Sequence, residues 1–316
     1  MVAMVLGLIV IGGVIGVMMA NKRSNDSNRG LNQVQETART AFELMARDIR
    51  QSAGNGCDNP TRTSNLLNAG TNWWQTWWGM TGTDNGGADN AVTAGSGIAQ
   101  WVAGTDTIHL QGLQGAGLSV ESANPGASTI TINGDAQFTA GDIMIACDFD
   151  HAAIFQMTGW DPDTDTLTHA DSGGTLGNCS GNLGFPATCG GTVPVYEYPE
   201  NAQIGRLMAA VWYVGNNGRP TEGGRSLYRR SLATGGLEVT EEMVAGVTDM
   251  QVEYGENGTS NIGTAVTVGN WANVNSIFIR LTAESADTRV TTNPGVNNGR
   301  ISRTFTYLVT LRNRVP

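Results

Sequence analysis

Residues 1–20, MVAMVLGLIVIGGVIGVMMA, carry no charged side chain, and residues 21–30, NKRSNDSNRG, follow without a transition. Such an opening is either a discarded signal or a retained anchor, and the choice decides the fold. A cleaved signal has a basic start, an apolar core of about 7–15 residues and a small-x-small cut site. Here the basic start is missing, the apolar run is 20 residues long, and VMMANK offers only Ala20 as a small residue. At about 1.5 Å per residue the run spans about 30 Å as a helix, the thickness of a bilayer core. Its ten Val, Leu and Ile residues favour insertion by about 3–6 kcal/mol. Gly7, Gly12, Gly13 and Gly16 each weaken a helix in water by about 1 kcal/mol. They also let another backbone approach closely, as at Gly12-x-x-x-Gly16. The run therefore reads as a transmembrane helix that stays attached.

Residues 31–56, LNQVQETARTAFELMARDIRQSAGNG, continue with apolar positions at Leu31, Val34, Ala38, Ala41, Phe42, Met45, Ile49 and Ala53. Spacings of three and four place these on one helical stripe, with Arg39, Glu43, Arg47 and Arg50 mostly off it. Gly54 and Gly56 supply the expected stop. The chain divides into an apolar half-helix (1–20), a polar break and amphipathic half-helix (21–56), and a globular part (57–316). The one-faced half must lie against that globular part.

At 316 residues the chain has ample material for a buried core. Charged residues make up only 15%, and there are 43 glycines, a mixture that reads as loop-rich β structure outside the cytoplasm. Lys22 is the sole lysine, against 17 arginines. Residues 51–205 hold 15 acidic groups against Arg62 alone, a net −14. Such a surface repels phosphate backbones, so nucleic acid is not an expected partner.

The four cysteines, Cys57, Cys147, Cys179 and Cys189, include no CxxC pair, and with three histidines a zinc site is not expected. An even count on an exported chain points to two disulfides, for which three connectivities exist. Cys179 and Cys189 flank the turn-rich SGNLGFPAT (180–188), a loop two sulfurs easily close, and that choice leaves Cys57 with Cys147. The positive-inside rule applied to Lys22 and Arg23 places the bulk of the chain in the cytoplasm, against the cysteines and the composition. A stronger charge signal is expected upstream of Met1.

From Cys57 to Ala103 the chain is rich in Gly, Asn, Thr and Asp, and 58–103 reads as a loop-rich insertion. Strand signals follow at TDTIHLQGL (105–113), STITING (128–134), GDIMIACDF (141–149) and AAIFQMTGW (152–160), the last two as neighbours joined near Asp150 and His151. RLMAAVWYVGNNGRP (206–220) leads to SLYRRSL (226–232) through the turn signal Asn217-Gly218. VTDMQVEYGENG (247–258), VNSIFIRLTA (274–283) and the alternating RTFTYLVTL (303–311) complete an α+β reading with antiparallel strands.

This order resembles the type IV pilins and pseudopilins, and several stretches are similar to the PilW-type minor pilins. They are MVAMVLGLIVIGG (1–13), AFELMARDIRQSAGNGC (41–57), CDFDHAAIFQMTG (147–159), YVGNNGRP (213–220) with SLYRR (226–230), EMVAGVTDMQVEYG (242–255) and RTFTYLVTLRNRVP (303–316). The resemblance is colinear and covers most of the chain, least so at 58–100. It implies a pilin-like fold and a low-copy, non-enzymatic subunit without a cofactor. That subunit seeds or caps a type IV pilus with other minor and major pilins, a tip adhesin and the inner-membrane assembly machinery. It implies single-pass residence in the bacterial inner membrane with the C-terminal domain in the periplasm, then a place in the fimbrium at the cell surface, with adhesion or twitching motility as the use. Gly12, Gly13, Gly16, Val34, Phe42, Met45 and Ile49 are the expected helix-packing residues. Family members begin with a basic leader and a Gly-Phe-Thr/Ser-Leu-Val/Ile-Glu signature that a prepilin peptidase cuts and methylates. Met1 falls just after that glutamate, so the resemblance implies that this segment lies upstream.

Three motifs compete with a purely structural reading. WWQTWW puts Trp73, Trp74, Trp77 and Trp78 where a helical turn makes one aromatic face. Exposed, that face is the platform of a membrane-tethered carbohydrate-binding or adhesive protein; buried, it is a satellite core. DPDTDT alternates Asp161, Asp163 and Asp165 as a calcium loop does, but lacks the glycine and glutamate of an EF-hand, and a hairpin turn explains it. HADSGG brings His169, Asp171 and Ser172 near one another without the partners a triad needs. No Walker loop, no GxGxxG after a strand and no GxSxG occurs.

Overall fold

The apolar run and the amphipathic stripe form one unbroken helix, α1 (Val2–Gln51), about 75 Å long at 1.5 Å per residue. In this computed structural model the described residues are 2–57, 62–68, 70–85, 87–115, 117–134, 136–171, 176–258, 262–288, 290–291 and 297–314. The polar segment 21–30 interrupts the composition but not the helix.

After the helix come β1 (Thr63–Asn65), β2 (Met80–Thr83), β3 (Thr107–Gln114), β4 (Ser119–Asn124), β5 (Thr129–Asn133), β6 (Ile143–Cys147), β7 (Ala152–Gln156), β8 (Gly159–Asp161) and β9 (Thr166–Thr168). They are followed by β10 (Gln203–Asn216), β11 (Arg225–Leu232), β12 (Glu238–Ala245), β13 (Val247–Glu256), β14 (Ile262–Gly263), β15 (Val274–Glu284) and β16 (Ser302–Thr310). Among the described residues these build a larger sheet, β1–β12, and a smaller one in the order β14-β13-β15-β16. Pairing is antiparallel except for β1 beside β7. The β6–β7 hairpin turns at Asp148–His151, and β10–β11 turns through Asn217-Gly218, where Gly218 takes φ 69°.

The 14-residue β10 organises the larger sheet. One edge pairs with β6 over Gln203–Arg206 and then with β11 over Ala210–Asn216; the other pairs with β3 over Arg206–Tyr213. On one face of this sheet, Ile108, Leu110, Met208 and Trp212 meet the helix stripe and the inner face of the smaller sheet. Val34, Ala38, Ala41, Met45 and Ile49 of α1 are fully buried, packing on Ala283, Val290 and Ile301 higher up the helix and on Met250, Ile277 and Ile279 lower down. Each Val, Met or Ile among them contributes about 1.5–3 kcal/mol of burial, and each alanine methyl about 0.8 kcal/mol.

The helix does not stop at its glycines. The reversal falls on Ala53, which takes φ 64° because its methyl is buried in the shared core and its N–H donates to the Gln111 carbonyl at 2.8 Å. Ser52 Oγ closes the last turn onto the Ile49 carbonyl at 2.8 Å. A β-carbon at Gly112 would meet the Gln51 carbonyl oxygen at 2.5 Å, so the strand beside the helix end needs a residue without a side chain.

Among the described residues of 58–103, the apolar side chains form a packed cover and not only surface loops. Leu67, Trp73, Trp74, Ala91, Val92 and Trp101 close over the other face of the larger sheet, against Ile145, Ile154, Val211, Tyr213 and Tyr228. A third core lies beyond the helix end, where Val120, Ile130, Ile132, Met144, Phe155, Leu167, Leu183, Tyr198 and Ile204 pack together.

Candidate functional site

The least satisfied surface of the molecule is the first half of α1. Every large aliphatic side chain described from Met4 to Met19 is 52–78% exposed. A β-carbon placed at Gly7, Gly12, Gly13 or Gly16 would meet nothing within 4 Å. Water does not tolerate a bare apolar rod of this length, since every turn leaves several side chains unburied. The helix is long and apolar enough to cross a membrane. Lys22 and Arg23 are exposed just past the apolar run, and contact with the domain begins at Ser27, whose hydroxyl donates to the Val290 carbonyl at 2.5 Å.

The second half of α1 is clamped by more than its stripe. Phe42 stacks on Tyr307 with ring centroids 4.1 Å apart. Asp48 accepts from Trp212 Nε1 at 3.0 Å and from Arg229 Nε at 2.7 Å, tying the helix to β10 and β11. The sequence carried a signal for this anchor: Asp48 lies three residues past Met45, on the apolar stripe, and a carboxylate there needs partners.

The four cysteines form Cys57–Cys147 and Cys179–Cys189. The first joins the end of the helix region to β6 across a sequence separation of 90; the second closes a loop of separation 10.

The tryptophans do not form one face. WWQTWW is a turn, with Gln75 N–H donating to the Asn72 carbonyl at 3.1 Å. Trp73 (7% exposed) and Trp74 (2%) enter the core, Trp77 is half-buried, and Trp78 alone is open at 57%. The buried Gln111 amide holds the segment, donating to the Trp74 and Thr76 carbonyls, while its oxygen accepts from Trp78 N–H. Trp74 Nε1 donates to Glu238 at 3.0 Å. A four-indole sugar platform is therefore absent; one indole remains on the surface.

The aspartates of DPDTDT make the β8–β9 turn. Asp161 accepts from Asp163 N–H at 3.0 Å and from Thr164 Oγ1 at 2.9 Å, and Asp165 takes φ 50°. Among the described residues no group of three His, Cys, Asp or Glu side chains is placed to hold a metal.

His169 is buried against Phe155, and its Nδ1 has no hydrogen-bond partner. Burial pushes its pKa down to about 4, against backbone hydrogen bonds that act the other way. Asp171 is exposed two residues on, and Ser172 lies outside the described residues. His151 is committed at both nitrogens, to Asp150 at 2.9 Å and to the Leu183 carbonyl at 2.7 Å. Asp89, not anticipated from the sequence, meets His109 Nε2 at 2.7 Å and Thr107 Oγ1 at 2.6 Å. Burial alone would raise the Asp89 carboxyl. The hydrogen bond and charge of His109, with help from Thr107 and the Ala91 N–H, outweigh that and hold it at about 2.

A shallow pocket of about 370 Å³ beside Cys57–Cys147 is lined by Asp148, Phe149, Pro199, Glu200 and Asn201. Asp148 is engaged by Tyr196 Oη at 2.5 Å and by the N–H groups of Asp150 and His151. The chemistry concentrated in this molecule is thus that of packing surfaces, with the bare half-helix as the principal one. Set against protein-family models, curated proteins and solved structures, the chain matches none.

Proposed function

We propose that this chain is a minor pilin of the PilW type, a non-enzymatic subunit that helps to initiate or cap a type IV pilus. The observation that supports the reading is the continuity of α1: one helix is bare and apolar in its first half and clamped to an antiparallel β domain in its second. Such a rod has two suitable environments, a bilayer and a bundle of similar helices. In the first the subunit waits, with its domain in the periplasm; in the second it belongs to a filament. The exchange replaces lipid contacts by helix contacts with little hydrophobic gain, so close packing at small residues decides its strength. Gly12, Gly13 and Gly16, open on every side, supply that close approach. Other minor and major pilins, a tip adhesin and the inner-membrane assembly machinery are the partners this role requires.

The test is Gly12→Leu with Gly16→Leu in the producing cell. Both side chains suit a bilayer, so the protein remains in the membrane fraction, while its entry into a helix bundle is blocked. Surface pili counted by electron microscopy fall sharply. Normal piliation in a strain whose only copy is this variant overturns the filament reading.

A further inference from the structure

Among the described residues β1, β2, β8, β12, β14 and β16 each leave one edge unpaired. Natural sheets keep such edges very short, charged, bulged or covered, because an open edge pairs with any strand that reaches it. β14 has two residues, β1 and β8 have three, and β2 has four. β12 has eight residues but carries Glu238, Glu241 and Glu242. Among the described residues β16 uses none of these devices. Its nine residues, SRTFTYLVT, hold one charge, no proline and no glycine, and they pair with β15 from Ser302 to Thr310 without a bulge.

The direction of its free backbone groups follows from one bond. Leu311 N–H donates to the Asn275 carbonyl at 2.8 Å. In an antiparallel ladder this orientation recurs at every second residue. Arg303, Phe305, Tyr307 and Val309 therefore serve β15, while Thr304, Thr306, Leu308 and Thr310 turn their N–H and C=O groups outward. On the helix side the edge presents Phe305 and Tyr307, with Phe42 stacked on Tyr307 and the solvated Arg39–Glu43 pair near it. On the opposite face Leu308 is 52% exposed. At the start of the strand Arg303 is exposed, and among the described residues its guanidinium meets only the Ser302 carbonyl.

We propose that this edge receives an extended segment of a different protein chain as a fifth strand of the smaller sheet. The segment is apolar at alternate positions, facing Phe305 and Tyr307, and carries a carboxylate at the Arg303 end. A second copy of this chain does not fit. α1 and β16 run in the same direction, since Ile301 lies against Gly30, Tyr307 stacks on Phe42, and Asn313 donates to the Ser52 carbonyl. Two copies joined antiparallel at β16 would point their apolar half-helices in opposite directions, which one membrane or one bundle cannot accept; this step alone rests on the filament-subunit reading. Joined in parallel, they would bring two Arg303 side chains together.

The probe is a synthetic acetylated nonapeptide alternating valine and threonine and ending in glutamate, added to the full chain in detergent micelles. Amide hydrogen exchange at Thr304, Thr306 and Leu308 slows by at least about tenfold at saturating peptide. Thr306→Pro, which removes one outward N–H and spares the β15 ladder, abolishes that protection, whereas Thr306→Val keeps it. Should Thr306→Pro fail to fold, Arg303→Glu loses the glutamate peptide and regains binding with a peptide ending in lysine. Absence of protection at millimolar peptide overturns the proposal, as does equal protection in Thr306→Pro. Slow exchange of these amides in the free chain also overturns it, because the edge is then covered by its own residues. Disulfide-linked dimers of Thr306→Cys in native membranes assign the edge to a second copy and overturn the foreign strand. None of these outcomes depends on pilus counts, so the filament reading stands or falls separately.

Discussion

The two ends of the globular part are held together by different means. Around the second half of α1, β13, β15 and β16 rely on an apolar stripe and aromatic contacts such as Phe42–Tyr307, and the Asp48 anchor adds β10 and β11, with no cysteine among these strands. Beyond the helix end, where β4–β9 and residues 176–202 pack, both disulfides occur, and 51–205 is net −14 in a chain whose total is −10, the remainder being net positive. Polar side chains are also buried there to satisfy loop backbone: Asn178 exchanges hydrogen bonds with the Gln156 N–H and carbonyl, and His151 reaches the Leu183 carbonyl. A long helix supplies apolar area along its whole length, so the sheet beneath it needs little else. Short strands joined by long loops bury less per residue, and covalent closure makes up the difference.

Removing the longer bridge is the most severe way to break that contrast. Closing 90 residues restricts the unfolded chain by about 4–5 kcal/mol in the chain-entropy account, against about 3 kcal/mol for the short loop. Cys57→Ser with Cys147→Ser therefore lowers the opening free energy of Ile145 and Phe155 amides by about that amount in native-state hydrogen exchange. Amides of Ile277 and Ile279, under the helix, lose much less. Equal losses in both sets would mean that the two ends unfold as one unit.

Acid sharpens the same contrast through His169. Its folded pKa of about 4 lies below the free value of about 6.5, so the unfolded chain takes up a proton that the folded chain refuses. The stability it contributes is complete above about pH 6.5 and is lost as the pH falls toward 4, about 3 kcal/mol in all. Below pH 4 both states are protonated and the slope vanishes. His169→Phe keeps the ring volume beside Phe155 and removes the titration, so the loss of urea resistance between pH 7 and pH 4.5 shrinks in the variant. An unchanged pH profile would place the acid sensitivity elsewhere.

The legibility of the sequence follows the same division. The stripe from Leu31 to Ala53, the β6–β7 hairpin and the alternation of β16 were readable because one-sided burial imprints a period. SVESAN of β4 and EVTEEM of β12 were not, since an edge or half-exposed strand carries polar residues and leaves no alternation. The tryptophan segment has the spacing of a helical face but forms a turn, because Gln111 binds the Trp74 and Thr76 carbonyls. Ala53 misled because burial of its methyl outweighed the usual preference for glycine at a left-handed position.

The smallest expected effect on the isolated chain concerns Arg39 and Glu43, which pair at 2.8 Å on the solvent-exposed flank of α1 beside Tyr307 of β16. Both side chains are solvated, so the attraction is screened and offset by the ordering of two long side chains. Arg39→Glu leaves the urea midpoint of the detergent-solubilised protein unchanged within error. Under the proposed filament reading, this flank is open to neighbouring subunits, because the opposite face of the helix is already filled by the smaller sheet. Surface pili then decline in Arg39→Glu although the folded monomer is as stable as before. Restoring the pair in reverse, with Arg39→Glu and Glu43→Arg together, separates the two causes. Recovery of piliation shows that only the net charge of the face matters, whereas persistent loss shows that Arg39 meets a carboxylate on another subunit. Normal piliation in the single variant would leave the exposed face of the second half-helix without a neighbour, and with it the contrast between a helix filled on one side and a helix filled on both.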